Sequence, residues 1–127
     1  MMLIIDIACF LTVTFSINDN SISIEVLTGS NFKKWKEDFL FGMELVDIHI
    51  ALTEDKPADV TADSTDMEKA LSAAWAKSNR ICLLLMKRSI KDHLKSSLPA
   101  DCTAKEMMET LQARNRDSSN AEAGTYM

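Results

Sequence analysis

Hydrophobic residues recur at helical spacing through most of the chain that follows residue 27. Between residues 32 and 46 they stand three or four positions apart, which places them along one stripe of a helix. They are Phe32, Trp35, Phe39, Met43 and Val46. Just before this stripe, Gly29, Ser30 and Asn31 supply a turn and polar side chains that favour the N-cap of a helix. We therefore expect a first helix to begin there.

A second, longer helix is predicted after the polar linker of residues 53–65. Thr65 and Glu68 have the S/T-x-x-E spacing of a capping box. At 100° per residue, one face of this helix then collects apolar side chains. They are Met67, Leu71, Ala74, Trp75, Cys82, Leu85 and Met86. Leu83 and Leu84 lie beside this face, so we expect the helix to be covered on two sides.

Two further helices are predicted towards the C-terminal end of the chain. Ile90, Leu94 and Leu98 form a short amphipathic pattern that should end at the following proline. Thr103 and Glu106 form a second capping box before another apolar run. The fold class predicted from this pattern is all-α, with about four amphipathic helices in a small bundle. Six residues are expected to be buried against one another, namely Phe32, Trp35, Phe39, Trp75, Leu85 and Met86.

Residues 1–26 differ from the rest of the chain because they contain no Lys or Arg. Residues 3–15 are mostly apolar but include Asp6, and this run is shorter than the roughly 20 residues that span a bilayer. A secretion signal would require a basic start and a small-residue cleavage site, and this segment has neither before Ser16. Ser21-Ile22-Ser23-Ile24 alternates polar and apolar positions, which predicts a short strand or an extended arm. We interpret residues 1–26 as an arm or leader outside the helical domain, with a small secreted or anchored protein as the alternative.

Composition favours one globular domain. The chain has 127 residues, of which 46% are hydrophobic and 26% charged, and only 3 Gly and 2 Pro are present to form turns. These figures argue against disorder and against a many-stranded sandwich or barrel. Cys9, Cys82 and Cys102 are widely spaced and have no histidine at zinc-ligand spacing. We expect reduced thiols, a cytoplasmic location and no metal or other cofactor.

Candidate catalytic residues are few. Ser30 and Lys33 have the S-x-x-K spacing of a serine nucleophile beside a lysine base, but a chance match is expected and the companion motifs are missing. The other candidates are His49 and His93, which lack the partners of a triad, and Glu54 and Asp55, which read as a solvated acidic loop. We therefore expect neither an enzyme nor a small-molecule substrate.

Two blocks of opposite charge suggest a role in binding. Residues 44–68 contain eight acids and one base, giving −7, whereas residues 77–95 contain six bases and one acid, giving +5. On an unbroken helix the six bases would lie within about 100° of arc. They are Lys77, Arg80, Lys87, Arg88, Lys91 and Lys95. This stripe could contact RNA phosphates or the acidic block of a second copy, and the sequence does not distinguish between these two interpretations.

The segment LTGSNFKKW, which begins at Leu27, resembles the L-x-G-x-N-F-x-x-W signature that opens the gag region of plant copia-type LTR retrotransposon polyproteins. The similarity continues through DIHIAL at residues 47–52, the acidic turn at residues 54–57 and WAKSNRICL at residues 75–83. It then runs through MKRSI at residues 86–90 and Ala104-Lys105-Glu106, and so covers about residues 27–127. The signature residues and the tryptophan of the later motif are Leu27, Gly29, Asn31, Phe32, Trp35 and Trp75.

The resemblance implies a helical gag protein that self-associates into a capsid-like particle and packages the RNA of the element. This chain departs from the family because it lacks the CCHC zinc knuckle and the protease, integrase and reverse transcriptase regions. We therefore expect a truncated gag-like structural protein, with residues 27–127 as an incomplete N-terminal gag region. Its expected action is weak, salt-sensitive self-association without membrane contact. RNA binding through the basic stripe of residues 77–95 is the alternative.

Overall fold

The structure is a computed structural model that describes residues 12–17 and 20–126, with side chains described as far as residue 115. Among these described residues two strands precede the helices, β1 (Thr12–Ile17) and β2 (Asn20–Glu25). Five helices follow within the described residues, namely α1 (Phe32–Leu45), α2 (Ile50–Thr53), α3 (Asp66–Arg88), α4 (Asp92–Lys95) and α5 (Ala104–Tyr126).

Strands β1 and β2 pair as an antiparallel hairpin, so the expected all-α fold is wrong. The register sets Val13 opposite Ile24 and Phe15 opposite Ile22. Because side chains alternate along a strand, these four residues share one apolar face. Ile22 and Ile24 are buried in the main core. Of the two alternatives expected from the alternation at residues 21–24, a short strand or an extended arm, the structure has the strand, and it packs on the helical part of the chain.

Helix α1 approaches β2 closely because residue 42 has no side chain. The stripe predicted for this helix is confirmed, since Trp35, Phe39 and Met43 are fully buried. Gly42 faces the hairpin, and a Cβ atom built there would lie 2.9 Å from Cγ2 of Ile22. Real Cβ contacts are essentially never this short. The glycine therefore sets the spacing between α1 and the strand that covers it.

The main core joins the hairpin and α1 to the C-terminal half of α3 and the first turns of α5. Its members from the two long helices are Cys82, Leu85, Met86, Ala104, Met107, Met108 and Leu111. Of the six residues expected to be buried together, Phe32 is only half-buried. Trp75 is buried but lies outside this cluster, where its indole N–H donates to the carbonyl oxygen of Glu54 at 2.9 Å.

Both predicted capping boxes are confirmed. The Thr65 hydroxyl accepts from the Glu68 N–H at 3.1 Å, and the Glu68 carboxylate accepts from the Thr65 N–H at 2.9 Å. Thr103 and Glu106 form the same pair of bonds at 3.2 and 2.9 Å, just before α5. The backbone N–H of each threonine lowers the pKa of the glutamate that it binds. Each long helix thus begins where its local sequence indicates.

The third predicted helix is much shorter than expected. Ile90 is not helical but forms an isolated parallel bridge with Leu27, and α4 contains only the single turn of residues 92–95. The hydroxyls of Ser96 and Ser97 then donate to carbonyl oxygens within that turn, at 3.3 and 3.0 Å. The periodicity of residues 90–98 is therefore overridden by a contact with a distant segment.

We expect Gly42→Ala to destabilise the wild-type protein but to stabilise an Ile22→Ala variant. In the wild type the added methyl group would overlap Cγ2 of Ile22. Overpacking of this kind costs about 1–3 kcal/mol, whereas alanine gains about 1 kcal/mol over glycine in a helix. In the shortened background only the helix gain remains. Urea denaturation of all four proteins measures the reversal, and equal effects in both backgrounds would contradict the close approach.

The two capping glutamates give stability a pH dependence of definite sign. Folding lowers the pKa of Glu68 and Glu106 from the usual 4.5. Their contribution is therefore complete above that pH and is lost as pH falls through the folded-state pKa. We expect Glu68→Gln/Glu106→Gln to reduce the slope of unfolding free energy against pH below 4.5. Glu37→Gln, within α1, is the matched control and should leave a steeper slope than the double variant.

Candidate interaction surface

Two signature residues bind the segment that follows α3. The N–H of Leu27 donates to the carbonyl of Ser89 at 2.7 Å, and the carbonyl of Leu27 accepts from the N–H of Lys91 at 3.1 Å. The indole N–H of Trp35 donates to the buried hydroxyl of Ser89 at 3.1 Å. The start of the signature and the first turn of α1 are therefore joined to the end of α3.

The other signature residues shape the loop between β2 and α1. Gly29 has a φ of 106°, which glycine adopts without strain. Asn31 occupies the N-cap position, but its side chain makes no cap hydrogen bond, contrary to expectation. Instead its amide donates to the carbonyl of Val26 and its oxygen accepts from the N–H of Thr28, both at 3.0 Å. The asparagine thus ties the helix start back to the end of β2.

Two polar residues of α3 belong to the motif at residues 75–83 but were given no structural role from the sequence, yet they position the neighbouring elements. The hydroxyl of Ser78 donates to the carbonyl of Ile48 at 2.7 Å and accepts from the N–H of Ala51 at 3.0 Å. The side chain of Asn79 accepts from the N–H of Ala104 at 2.7 Å. The serine falls within the apolar stripe of α3, and this was the signal that could have revealed it. These bonds fasten α2 and α5 to α3.

The surroundings of the two described cysteines favour the thiol form. Burial raises the pKa of Cys82 to about 11, and its Sγ donates to the carbonyl of Ile48 at 3.3 Å. Burial also raises the pKa of Cys102, and the nearby Glu106 carboxylate adds to the effect. Because the thiolate is the nucleophile and the metal ligand, these environments disfavour both roles.

The candidate chemical groups are dispersed. The Ser30 hydroxyl lies 3.3 Å from that of Thr28, and Asp55 pairs with Lys105 at 2.8 Å. His49 is the residue before α2, with Nδ1 buried and no hydrogen-bond partner, and His93 is exposed on α4. Among the residues that the structure describes, no group of three or more His, Cys, Asp or Glu is placed to hold a metal ion.

The six bases of the predicted stripe do not lie on one helix. Four of them are exposed on α3, namely Lys77, Arg80, Lys87 and Arg88. Lys91 is the N-cap of α4, and Lys95 pairs with Asp92 at 3.2 Å. The condition for a single six-base stripe, an unbroken helix over residues 77–95, is therefore not met. The physical reason is the bridge to Leu27, which requires non-helical backbone at Ile90.

Leu84 stands at the centre of the remaining basic residues and is 58% exposed. On a helix, Arg80 and Arg88 are its neighbours four positions away and Lys87 its neighbour three positions away. Leu83 instead packs against the core, so coverage of the helix on two sides is confirmed only for that leucine. We call Leu84 and the four exposed bases of α3 the basic face. Residues 77–88 contain these four bases and no acid, giving +4.

The first turns of α3 project beyond the core. Met67 is 73% exposed and Leu71 is 52% exposed, and Ala74 is exposed as well, although all three belong to the apolar stripe predicted for this helix. The same stripe is buried from Trp75 onward. At the start of α3 the apolar side of the helix is therefore not covered by other elements of the described structure.

The segment that leads into these uncovered residues is acidic. Residues 54–69 contain six acids and two bases, giving −4, and adding Lys105, which pairs with Asp55, gives −3. Val60, in the same linker, is also exposed. We call Val60, Met67 and Leu71, with the charged residues of this segment, the acidic face.

A second exposed apolar pair lies on α1. Phe41 is 67% exposed and Leu45 is 56% exposed, one helical turn apart. Residues 33–45 contain three bases and three acids and carry no net charge. This pair therefore has the apolar character of the acidic face without its charge.

Two further findings bear on the function of the chain, namely the composition of its helices and the comparison with known proteins. Within the described part of the chain, no helix combines the length and apolar composition that crossing a bilayer requires. Comparison of the chain with protein-family models, curated proteins and solved structures finds no match. Any function must therefore be argued from the two charged faces and the uncovered apolar residues.

We expect Ser89→Ala to cost about 1–3 kcal/mol of unfolding free energy. The substitution leaves the buried indole N–H of Trp35 without its acceptor, and an unsatisfied buried donor carries a penalty of this size. Ser96→Ala, at an exposed serine, is the matched control. Urea denaturation monitored by tryptophan fluorescence measures the difference, and equal losses in the two variants would contradict a structural role for this hydrogen bond.

Proposed function

We propose that this chain is a structural protein of the copia-type gag kind that acts by associating with further copies of itself. It carries out no catalysis and uses no cofactor in this proposal. The observation that carries it is the uncovered start of α3, where Met67 and Leu71 are exposed on an apolar stripe that is buried from Trp75 onward. A helix face of this kind is stabilised when a partner covers it.

The size of the uncovered area sets the expected strength. Complete burial of a leucine or methionine side chain contributes about 1.5–3 kcal/mol. Loss of translational and rotational freedom opposes association by at least about 4 kcal/mol. Met67 and Leu71, together with the smaller contribution of Val60, would therefore support a weak complex. We expect affinity no stronger than micromolar, because these side chains alone fall short of the about −8 kcal/mol of a micromolar complex.

The resemblance of residues 27–127 to gag proteins supports a structural role, and the contacts of the signature residues support the same role. Leu27, Asn31 and Trp35 use their polar groups inside the protein, so the signature is a feature of folding rather than of a catalytic or ligand site. Cys82 and Cys102 are free thiols, as is usual in a reducing compartment. This supports the cytoplasmic location that we include in the proposal.

RNA binding by the basic face is the second candidate. It is favoured by four exposed bases on one helix, none of which forms an ion pair with a carboxylate of the described residues. We rank it second because Ile90 interrupts the stripe and because Leu84, rather than an aromatic ring that could stack on a base, lies at its centre. Four phosphate contacts would give a log–log salt slope of about −2.8.

Sedimentation of the pure protein tests self-association directly. We expect the average mass to rise above 14.2 kDa with increasing concentration. Met67→Ser/Leu71→Ser should remain a monomer, because it removes the uncovered apolar side chains without touching the core. Phe41→Ser/Leu45→Ser is the matched control, since it removes an equally exposed pair from α1, and it should associate like the wild type. A wild-type protein that stays monomeric at every concentration would contradict the proposal.

A further inference from the structure

We propose that the partner of the acidic face is the basic face of a second copy, so that copies join head to tail. This inference rests on the self-association proposed above and names the two surfaces that meet. In this arrangement Leu84 of one copy packs against Met67 and Leu71 of the next. The charged residues of the two faces form the rim of the contact.

Charge complementarity is the first argument for this pairing. The acidic face carries −3 when Lys105 is counted, and the basic face carries +4. The cations of the basic face form no ion pair with the described carboxylates, so their charge is available to a partner. Each face also has an exposed apolar centre. A dry apolar centre with a polar rim is the usual anatomy of a protein interface.

The alternatives bring like charges together. If the acidic face met the acidic face of a second copy, six carboxylates would approach six others. If two basic faces met, four cations would approach four others with no acid between them. Like charges placed opposite one another across an interface disfavour binding. Of the three ways to pair these faces, only the head-to-tail contact brings opposite charges together.

The apolar pair on α1 is a weaker partner for the basic face. Residues 33–45 carry no net charge. Asp38, which lies one turn from Phe41, already accepts from Lys34 at 3.0 Å. The α1 pair would cover Leu84 without neutralising the surrounding cations. It therefore serves as the control surface rather than as the proposed contact.

The position of both faces on α3 has a consequence for assembly. The acidic face lies at the start of the helix, and Leu84 lies 13 residues after Leu71, which corresponds to about 20 Å along the axis. A head-to-tail contact uses the acidic face of one copy and the basic face of the other. Each pair therefore keeps one free face of each kind and can add further copies or close into a ring.

Two half-blocked variants test the pairing. Met67→Ser/Leu71→Ser removes the apolar centre of the acidic face, and Arg80→Glu/Leu84→Ser disrupts the basic face. We expect each variant alone to be a monomer, because a head-to-tail contact needs both faces. Mixed in equal amounts, they should form a one-to-one complex of twice 14.2 kDa and nothing larger. Raising salt from 0.1 to 0.5 M should weaken this complex about tenfold, because the rim charges are screened.

Controls separate this inference from the function on which it rests. Lys33→Glu, a charge reversal on α1, and Phe41→Ser/Leu45→Ser should both associate like the wild type. Leu84→Gln is a milder basic-face variant, and circular dichroism checks that every variant keeps the helical content of the wild type. If the wild type associates but Arg80→Glu/Leu84→Ser associates equally well, the head-to-tail pairing is overturned and self-association stands. Association that disappears on ribonuclease treatment overturns both, as does a monomeric wild type.

Discussion

The junction between the signature segment and the end of α3 is the contact on which the remaining architecture depends. Leu27 supplies two backbone hydrogen bonds to this junction, and the Trp35 indole supplies a third to the hydroxyl of Ser89. That hydroxyl also donates to the carbonyl of Met86 at 3.3 Å, which accepts from the backbone N–H of Ser89 at 3.2 Å as well. One buried serine therefore ends a 23-residue helix and fixes the position of α1 against it.

The features that the sequence predicted well are those determined by neighbouring residues. Thr65 with Glu68 and Thr103 with Glu106 needed only spacing, and the stripe of α1 needed only periodicity. The failures involve distant partners. Ile90 leaves its helical pattern because it pairs with Leu27, and Asn31 caps no amide because Val26 and Thr28 take its hydrogen bonds. Rules based on neighbouring residues cannot predict these contacts. The same is true of the packing of the hairpin on Gly42.

The candidate interaction surface can be divided in the same way into features that were predictable from the sequence and features that were not. The bases of residues 77–88 and the acids of residues 54–69 could be read directly from the chain, as could the apolar character of Met67 and Leu71. Their exposure could not, because periodicity indicates which side of a helix is apolar but not how far along its length other elements reach. Trp75, whose indole N–H donates to the carbonyl of Glu54, is the first residue of this apolar stripe that other elements bury. Beyond that point the helix exposes the kind of side chain that it otherwise places in the core.

The bridge between Leu27 and the residues after α3 also constrains the order of events during synthesis. Trp35 and Ser89 are separated by 54 positions. At about 5–20 residues per second, a ribosome needs about 3–11 seconds to make the intervening chain. During that interval the hairpin and α1 have emerged without α3 and α5, so one side of Trp35 and Phe39 has no native cover. Chaperones that recognise apolar segments would meet this part of the chain first, before the C-terminal helices exist to bury it.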